Sequence, residues 1–390
     1  MNGGMVRCIN LLHQLSKNFE VTAIMHQHTS EFKNAFTAYP ALANCNMVST
    51  KEQKLKKDLF SFLPPKIASA LRQRYWTGNL LGSANLHFLK IYPVVKQLLH
   101  RNKFDYIVLE DILLMSLVPL IRKMQPAVKI VYDAYNVNAR LLKTQITDSA
   151  SEKKYYEMFK DECNLYKQVD AAFVCSETDL KELGEMNQGR LNCIVVPNGV
   201  GVPEVNNYPA ETLKNNEILF CGSLDYEPNR EGLIWFCKNV FPKVLELKSD
   251  VKLSVVGKGN PGTELMQYLQ HPSVHYHGMV PDVVPYYNQA VLAVVPLLSG
   301  SGTRLKVLEA MGLGTPVLST EIGAEGIEYT KDVNIVIADE SEVFAQKIIY
   351  LINNPAYAVS ISKAAYDFVS NRYNWNIIGT KMKSYLLQHS

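Results

Sequence analysis

Short runs of apolar residues alternate with longer amphipathic stretches along the whole chain. In the first half, such runs predict β-strands at residues 19–26, 104–110, 128–135, 170–176 and 192–199. In the second half, they predict strands at residues 217–223, 251–257, 273–278, 290–297, 315–320 and 334–339. The runs are continuous and rich in Val and Ile, which is typical of parallel strands buried on both faces. The alternation therefore predicts an α/β protein built from doubly wound parallel sheets.

A polar segment separates the two series of predicted strands. Residues 199–216, GVGVPEVNNYPAETLKNN, contain Gly and Pro and show no clear hydrophobic period, which indicates a linker. We expect two α/β halves that face each other across a cleft, with the boundary near residues 200–215. Ligands of such folds bind at the carboxyl ends of the strands, so a binding site is expected in that cleft.

Composition and charge exclude several classes of protein. The chain of 390 residues is long enough for two domains with separate cores. Its net charge of +3 predicts no nucleic-acid partner. No apolar run reaches the 18 residues of a membrane span and no signal peptide is visible, so a cytoplasmic protein is predicted. None of the seven cysteines forms a CxxC pair, and we interpret them as reduced and buried.

The chain begins with MNGGMVRCINLLHQL, in which two glycines precede a helical pattern. We interpret Gly3 and Gly4 as a turn that faces a ligand, and residues 5–15 as a helix. In an α/β protein such a turn follows a buried strand, but only Met1 and Asn2 come before it here. We therefore expect that the first strand of the N-terminal sheet lies upstream of Met1 or is missing from a shortened variant.

The most informative stretch is VVPLLSGSGTRLKVLEAMGLGTPVLST, at residues 294–320. A predicted strand is followed by a flexible turn from Gly300 to Thr303 and by a helix over residues 303–313. Ser301 or Thr303 is expected to cap the start of that helix. The free N–H groups and the dipole at a helix start attract an anion, and glycines allow a phosphate to approach the backbone.

Two charged residues lie together on the polar side of this predicted helix. Lys306 and Glu309 are spaced i, i+3, and Glu309 lies about 9 Å along the helix axis from Thr303. That distance resembles the span from the diphosphate of a sugar-nucleotide to its ribose. Lys306 therefore suits a diphosphate and Glu309 suits ribose hydroxyls. The alternative is an ordinary surface helix that carries an ion pair between Lys306 and Glu309.

The same stretch resembles the donor-binding motif of family 4 glycosyltransferases, which have the GT-B fold. Further similar segments are VVPNGV (195–200), ILFCGSLDYEPNREGLIWF (218–236), VHYHGMVPDVVPYYNQA (274–290) and RYNWNIIGTKMKSYLL (371–386). The resemblance covers nearly the whole chain. It implies an acceptor-side domain over residues 1–205, a nucleotide-sugar-binding domain over 206–370, and a closing helix over 371–390 that packs back toward the N-terminal domain.

The resemblance also implies an activity, the transfer of a sugar from a nucleotide-sugar donor with retention of the anomeric configuration. By its motif, Glu309 holds the ribose of the donor. The other residues implied to hold the diphosphate or to line the cleft beside it are Gly222, Ser223, Gly257, Gly300, Ser301, Gly302, Thr303 and Lys306. Arg304 is a further candidate for a phosphate contact, although a helical wheel points it away from Lys306.

The sequence departs from the family pattern at two places. Ser301 stands where the family often has a Glu that binds hydroxyls of the donor sugar. The segment DAYNVNARLL resembles one that often reads Asp-x-His-Asn-x-Glu, and here Tyr135 replaces the His and Asn138 the Glu. Tyr135 and Asn136 are therefore candidates on the acceptor side of the cleft. The alternative for Tyr135 is an aromatic ring packed at a strand end.

No metal or other cofactor is predicted. The chain contains no Asp-x-Asp triplet, and a helix start with Lys306 and Arg304 supplies positive charge for a departing phosphate. The predicted acceptor is a glycan or a lipid-linked sugar of cell-surface polysaccharide synthesis. Residues 51–76 carry seven Lys or Arg with interleaved apolar residues, which favours a peripheral contact with the inner face of the membrane or a solvated helix face.

Other interpretations rest on weaker patterns. Gly257-x-Gly259-x-x-Gly262 matches a dinucleotide-binding fingerprint, but it follows the second strand of its half and contains a proline, which favours a plain strand-to-helix turn. The pairs His26/His28 and His275/His277 lack a third metal ligand at suitable spacing. A GT-B sugar-nucleotide epimerase and a non-catalytic nucleotide-sugar-binding subunit remain as alternative functions.

Overall fold

The computed structural model describes residues 3–25, 39–50, 86–110, 112–135, 146–189, 192–203, 216–300 and 303–389, and the single residues 137, 139 and 143. The chain forms two compact units. The N-terminal unit comprises Met1–Pro197 and Gly379–Ser390, and the C-terminal unit comprises Asn198–Ile378. The predicted features that lie outside the described residues are segment 51–76, His26, His28, Asn136, Asn138, Ser301 and Gly302.

Parallel strands form two separate sheets in the described part of the N-terminal unit. One sheet pairs β1 (Thr22–Met25) with β2 (Asn46–Ser49). The other joins, in this order, β3 (Tyr106–Leu109), β4 (Lys129–Ala134), β5 (Ala171–Val174) and β6 (Asn192–Val195). Strand β5 is buried throughout and β4 from its second residue, which explains their apolar sequences. The α-helices are α1 (Gly3–Ser16), α2 (Leu86–Arg101), α3 (Val118–Met124), α4 (Ser149–Tyr166) and α5 (Glu177–Met186).

The first helix corrects the interpretation of the opening glycines. Helix α1 begins at Gly3, so Gly3 and Gly4 form its first turn and are not a separate turn before it. Glycine is tolerated there because its entropic cost to a helix is largest in the interior and smaller in the first turn. The helix also buries polar side chains, since Arg7 and Asn10 are more buried than the apolar Leu12. Whether a strand precedes the helix stays a prediction.

The C-terminal unit contains one parallel sheet of six strands. Its order is β12 (Val336–Ile337), β11 (Val317–Ser319), β10 (Leu292–Val295), β7 (Glu217–Cys221), β8 (Lys252–Val256) and β9 (Val274–Gly278). The first helices are α6 (Glu227–Trp235), which continues through the π-helical segment Phe236–Val240, α7 (Phe241–Leu247), α8 (Gly262–Leu269) and α9 (Val284–Gln289). They are followed by α10 (Leu305–Gly312), α11 (Ser341–Asn353) and α12 (Pro355–Arg372). The last helix, α13 (Trp375–Gln388), begins in this unit and belongs to the N-terminal unit from Gly379 onward.

Side chains of the central strand β7 point alternately into two cores. Ile218 and Phe220 pack into one apolar cluster, and Leu219 packs into the other, on the opposite face of the sheet. All three side chains are fully buried. Because both faces of the sheet are covered, the strand reads as a continuous apolar run. The prediction of an α/β protein with parallel, doubly wound sheets is confirmed by the described residues.

The two units meet in the sequence at positions that differ from those predicted. The contacts divide the chain after Pro197 and again after Ile378, whereas residues 205 and 370 are predicted as boundaries. Val200 belongs to the C-terminal unit because its N–H donates to the carbonyl of Tyr373 over 2.8 Å. The last residues of the chain belong to the N-terminal unit. There the Tyr106 hydroxyl donates to the carbonyl of Leu386 over 2.6 Å.

The described strands also differ from the predicted ones in number and length. Strand β2 is absent from the predicted series because NMVS is short and carries a polar residue at each end. Most strands are shorter than their apolar runs, since the pairing ends before the apolar side chains do. Among the described helices, none is both long and apolar enough to cross a membrane.

Candidate functional site

The order of the strands in the C-terminal sheet defines where a ligand fits. From β7 the chain proceeds outward through β8 and β9 on one side, and the later strands β10 to β12 continue on the other side. The strand order therefore reverses between β7 and β10. Parallel sheets bind ligands in the crevice that opens at the carboxyl ends of the strands at such a point. Gly222 directly follows β7, and α10 is the helix after β10.

Two glycines hold the turns after β7 and β8 against each other. The N–H of Gly222 donates to the carbonyl of Val256 over 2.9 Å, and the N–H of Leu224 donates to the carbonyl of Lys258 over 2.7 Å. A Cβ atom on Gly257 would overlap the carbonyl oxygen of Gly222. Gly257 therefore shapes the predicted site through its backbone. The fingerprint that begins at Gly257 lies at the end of β8, the second strand of this sheet along the chain.

Lys306 lies at the reversal point with its side chain half-buried. Its Nζ atom donates to Oδ1 of Asn229 over 2.6 Å and lies 5.0 Å from the centre of the Phe220 ring. Burial lowers the pKa of Lys306 to about 8. The amine is therefore mostly protonated at pH 7, and a bound anion would raise the pKa of Lys306.

Glu309 lies one turn further along α10, also half-buried. The buried hydroxyl of Tyr287 donates to Oε2 of Glu309 over 3.4 Å. Burial raises the pKa of Glu309, and the hydrogen bond from Tyr287 opposes that rise. Among the described residues, Lys306 and Glu309 form no ion pair with each other, so the alternative of an exposed surface pair is wrong. Their polar groups have other partners, which are Asn229 for Lys306 and Tyr287 for Glu309.

The start of α10 differs from the prediction. The helix begins at Leu305, its N-cap position is Arg304, and no side chain caps it there. The expected cap by Thr303 is therefore wrong, because the helix starts two residues later than the pattern indicates, and Ser301 lies outside the described residues. Gly300 has φ +106°, a conformation that favours glycine, and a Cβ atom there would lie 2.9 Å from the Tyr226 hydroxyl.

Arg304 is turned into the protein. Its side chain is 5% exposed, its Nε atom donates to the carbonyl of Ile322 over 3.4 Å, and it lies 3.7 Å from a carboxylate oxygen of Glu325. These contacts place the guanidinium group beside the short 3₁₀ helix Ile322–Ala324. A contact between Arg304 and a phosphate stays a prediction, as do the roles of Ser223 and Thr303.

The N-terminal unit holds a second polar cluster, which contains the predicted residue Tyr135. Cys8 Sγ donates to Oε2 of Glu110 over 2.8 Å and lies 2.6 Å from the Tyr135 hydroxyl. All three side chains are half-buried, and burial raises the pKa of each. The thiol and the phenol are therefore neutral at pH 7. Tyr135 is bonded through its hydroxyl, so it is not only a packed ring at a strand end.

A buried ion pair lies beside this cluster. Arg7 is 1% exposed, and its guanidinium donates to both carboxylate oxygens of Asp133, which is fully buried, over 3.0 and 2.5 Å. A third bond of 2.7 Å joins Arg7 to the carbonyl of Val196. Helix α1 is thereby tied to the carboxyl end of β4 and to the residue after β6.

Sequence reasoning missed several residues that the structure brings to these sites. In the C-terminal unit they are Phe220, Asn229 and Tyr287, and in the N-terminal unit they are Arg7, Cys8, Glu110 and Asp133. Glu110 and Asp133 had a usable signal, because a carboxylate at the end of an apolar strand run marks the ligand edge of a parallel sheet. Asn229 and Tyr287 had no usable signal in the sequence, since the residues that they contact are distant along the chain.

Substituting the two glycines should have different effects. In Gly222→Ala the new Cβ would lie 2.6 Å from Nζ of Lys306, a flexible side chain that can move. We expect about tenfold weaker binding of the predicted diphosphate ligand, with little change in melting temperature. In Gly257→Ala the clash is with the backbone, so we expect a loss of roughly 2–4 kcal/mol in the free energy of unfolding. Calorimetric binding and urea denaturation of both variants measure the two effects, and equal destabilisation by both would contradict this account.

Comparisons with known proteins show what this chain is similar to. The family described as "Glycosyl transferases group 1" matches residues 215–354. An uncharacterized 44.6 kDa protein in the cps region of Klebsiella pneumoniae is 24% identical over 330 residues, which is 76% of this chain and 79% of that protein. The phosphatidyl-myo-inositol mannosyltransferase of Mycobacterium leprae is 25% identical over 218 residues, 53% of this chain and 56% of that protein.

Solved structures extend the likeness to the whole fold. The crystal structure of Anabaena HepE in complex with UDP superposes with a TM-score of 0.70 over 100% of this chain and 96% of that chain, at 14% identity. At that level of identity the likeness concerns the fold. Within the described ranges, no three His, Cys, Asp or Glu side chains come together as a metal-binding group. That the reaction needs no metal stays a prediction.

Proposed function

We propose that this chain, which matches the group 1 glycosyltransferases over residues 215–354 and has the GT-B fold, is a retaining, metal-independent enzyme of cell-surface polysaccharide synthesis. The observation that carries the proposal is the convergence of Lys306, Glu309 and Gly222 where the strand order of the C-terminal sheet reverses. A nucleotide-sugar is the donor, which agrees with the UDP held by HepE of Anabaena.

Each residue of the C-terminal site has a proposed task. The carboxylate of Glu309 accepts hydrogen bonds from the ribose hydroxyls of the donor. The ammonium group of Lys306 binds the diphosphate, together with the N–H groups at the start of α10. The half-buried position of both charged groups strengthens these contacts because little water screens them.

The chemical need is to stabilise a leaving diphosphate. The bond between the anomeric carbon and a diphosphate oxygen breaks, and the acceptor oxygen bonds to the same carbon from the same face. The proton of the acceptor hydroxyl passes to the departing phosphate. Lys306 and the helix start are charged and oriented before the reaction, so they stabilise the new negative charge without reorganisation.

The acceptor is proposed to be a glycan or a lipid-linked sugar. The relative from the cps region of Klebsiella pneumoniae and the mannosyltransferase of Mycobacterium leprae support this class. The neutral hydroxyl and thiol at Tyr135 and Cys8, near the carboxyl ends of β3 and β4, suit hydrogen bonding to sugar hydroxyls. A peripheral membrane contact through residues 51–76 belongs to the same proposal.

A panel of nucleotide-sugars tests the proposed function. We expect one donor to release its nucleoside diphosphate in the presence of a glycan or lipid-linked acceptor, and the rate to persist in excess EDTA. Nuclear magnetic resonance of the product should show the anomeric configuration of the donor. Binding of a donor with no turnover on any acceptor would indicate a non-catalytic subunit, and loss of the rate in EDTA would contradict metal independence.

A further inference from the structure

Asn229 links the two sides of the C-terminal site. It lies in the first turn of α6, and its side chain is 5% exposed. Oδ1 of its carboxamide accepts a hydrogen bond of 2.6 Å from Nζ of Lys306, on α10. Nδ2 of the same carboxamide donates over 2.8 Å to the carbonyl of Ser223, in the turn after β7. Both ends of this amide are therefore used, and each holds a different part of the site.

The residues around Nζ of Lys306 leave little space for any other position of this group. A Cβ atom on Gly222 would lie 2.6 Å from Nζ of Lys306 and 2.9 Å from Nδ2 of Asn229. The ring of Phe220 lies 5.0 Å from the same Nζ atom and is fully buried. A lysine side chain has four rotatable bonds and is normally mobile. Here the hydrogen bond to Asn229, the face of the Phe220 ring and the absence of a side chain at Gly222 restrict the Lys306 side chain to one position.

We propose that Asn229 is a positioning residue that holds the ammonium group of Lys306 and the turn at Ser223 in the geometry that a nucleoside diphosphate requires. The inference rests on the proposed function, because it concerns the same site. It adds a role for a residue outside the glycine-rich motif, on a helix that follows a different strand. Preorganising the cation in this way avoids ordering a mobile lysine when the donor binds.

The neutral amide matters as much as its position. An amide oxygen accepts from the ammonium group without cancelling its charge, so the charge stays available to the phosphates. An aspartate at this position would pair with Lys306 and repel the ligand. The other titratable groups that face Lys306 are Glu309 on the same helix, Arg304 before it, and the thiol of Cys221 on β7. None of them changes in variants of residue 229.

Two variants of opposite electrostatic effect test the proposal. The probes are UDP, GDP and ADP with the matching monophosphates, titrated by calorimetry between pH 6.5 and 9.5. In Asn229→Ala we expect diphosphate affinity about tenfold to hundredfold lower at pH 7, because a hydrogen bond to a charged group is lost. The alkaline midpoint of binding should also move to lower pH, since the charged lysine loses an acceptor.

Asn229→Asp keeps the shape of the side chain and should move that midpoint the other way. A carboxylate favours the charged lysine, so binding should persist to higher pH although the affinity at pH 7 falls. The preference for diphosphate over monophosphate should shrink in both variants. Asn239→Ala is the matched control, because the Asn239 amide donates to the carbonyl of Trp235, four residues earlier in the same helical segment, over 3.1 Å.

The outcomes separate this proposal from the proposed function. Lower affinity with an unchanged pH midpoint in both variants would mean that Asn229 only supports the fold, and would overturn the inference. If the unmodified protein binds none of the nucleotides, the proposed function fails first. Melting temperatures identify a variant that does not fold, and in that case the aspartate variant, which preserves the shape, decides the question.

Discussion

Replacing Lys306 with alanine is expected to lower kcat/KM for sugar transfer by about 10²- to 10³-fold, the usual loss when one preorganised charge-stabilising group is removed. The reason is structural as well as chemical. Lys306 is held by Asn229 and by the Phe220 ring before any ligand arrives, so its charge acts at full strength on the leaving diphosphate. No other described lysine occupies the point where the strand order reverses.

The pH dependence of the same residue gives an independent check. Burial lowers the pKa of Lys306 to about 8, so the ammonium form, which is the form proposed to bind phosphate, is present at pH 7 and is lost as the pH rises above 8. Diphosphate affinity of the unmodified protein should therefore fall on the alkaline side. Lys306→Arg keeps a charge at all these pH values, and its weaker binding should be independent of pH.

The measurement is the release of nucleoside diphosphate from the best donor, in single-turnover and steady-state assays. Lys347→Ala is a suitable control because that lysine forms a partly exposed pair with Asp332, with 3.3 Å between the charged atoms. Such pairs contribute little, so this variant should retain full activity. Activity of Lys306→Ala within a factor of three of the unmodified enzyme would contradict the assigned role.

Removing Arg7 is expected to lower the free energy of unfolding of the N-terminal unit by about 3–5 kcal/mol. Arg7→Met leaves the Asp133 carboxylate fully buried without its partner, and it breaks three hydrogen bonds at once. An uncompensated buried charge is among the most destabilising single changes. Activity should fall as well, because α1 and the end of β4 carry the predicted acceptor-side residue Tyr135 and its partner Cys8.

Urea denaturation followed by circular dichroism measures this loss, and hydrogen exchange in α1 and β4 assigns it to the N-terminal unit. The control is Arg122→Ala, since Arg122 also pairs with a carboxylate, Asp170, over 2.7 Å and donates to the carbonyls of Val128 and Gln168, but in a half-exposed position. We expect a smaller loss there, about 1–2 kcal/mol, because water partly replaces the lost contacts. Replacing both Arg7 and Asp133 by apolar residues should recover part of the stability, and a double variant as unstable as the sum of the two single ones would contradict the ion-pair explanation.

The two sites differ in how far the sequence predicted them. Lys306 and Glu309 were found from the sequence because a glycine-rich turn, a helical period and an i, i+3 spacing lie within a few residues of one another. The positions of β7 and β10 were predicted in the same way, from continuous runs such as EILFC and LAVV. Local patterns of this kind are read without knowing the partner of any residue.

Asn229, Tyr287 and Arg7 could not be found in that way. Asn229 is 77 positions from Lys306 in the chain, and Arg7 is 126 positions from Asp133. Nothing in the neighbouring sequence of these residues reports such a contact. The start of α10 was misplaced for a related reason, because Ser301 and Thr303 satisfy the local rule for a cap while the observed helix begins at Leu305.

The class of the fold, the approximate positions of most strands and the helix that carries Lys306 and Glu309 follow from the amino-acid sequence alone. These features depend on hydrophobic period and short-range spacing, which each segment contains on its own. The three-dimensional structure is needed to show which strands are neighbours, that the order reverses between β7 and β10, and that an asparagine from α6 contacts the lysine of α10. Those facts depend on contacts between distant segments, which form when both faces of the sheet are buried and polar groups inside must find partners.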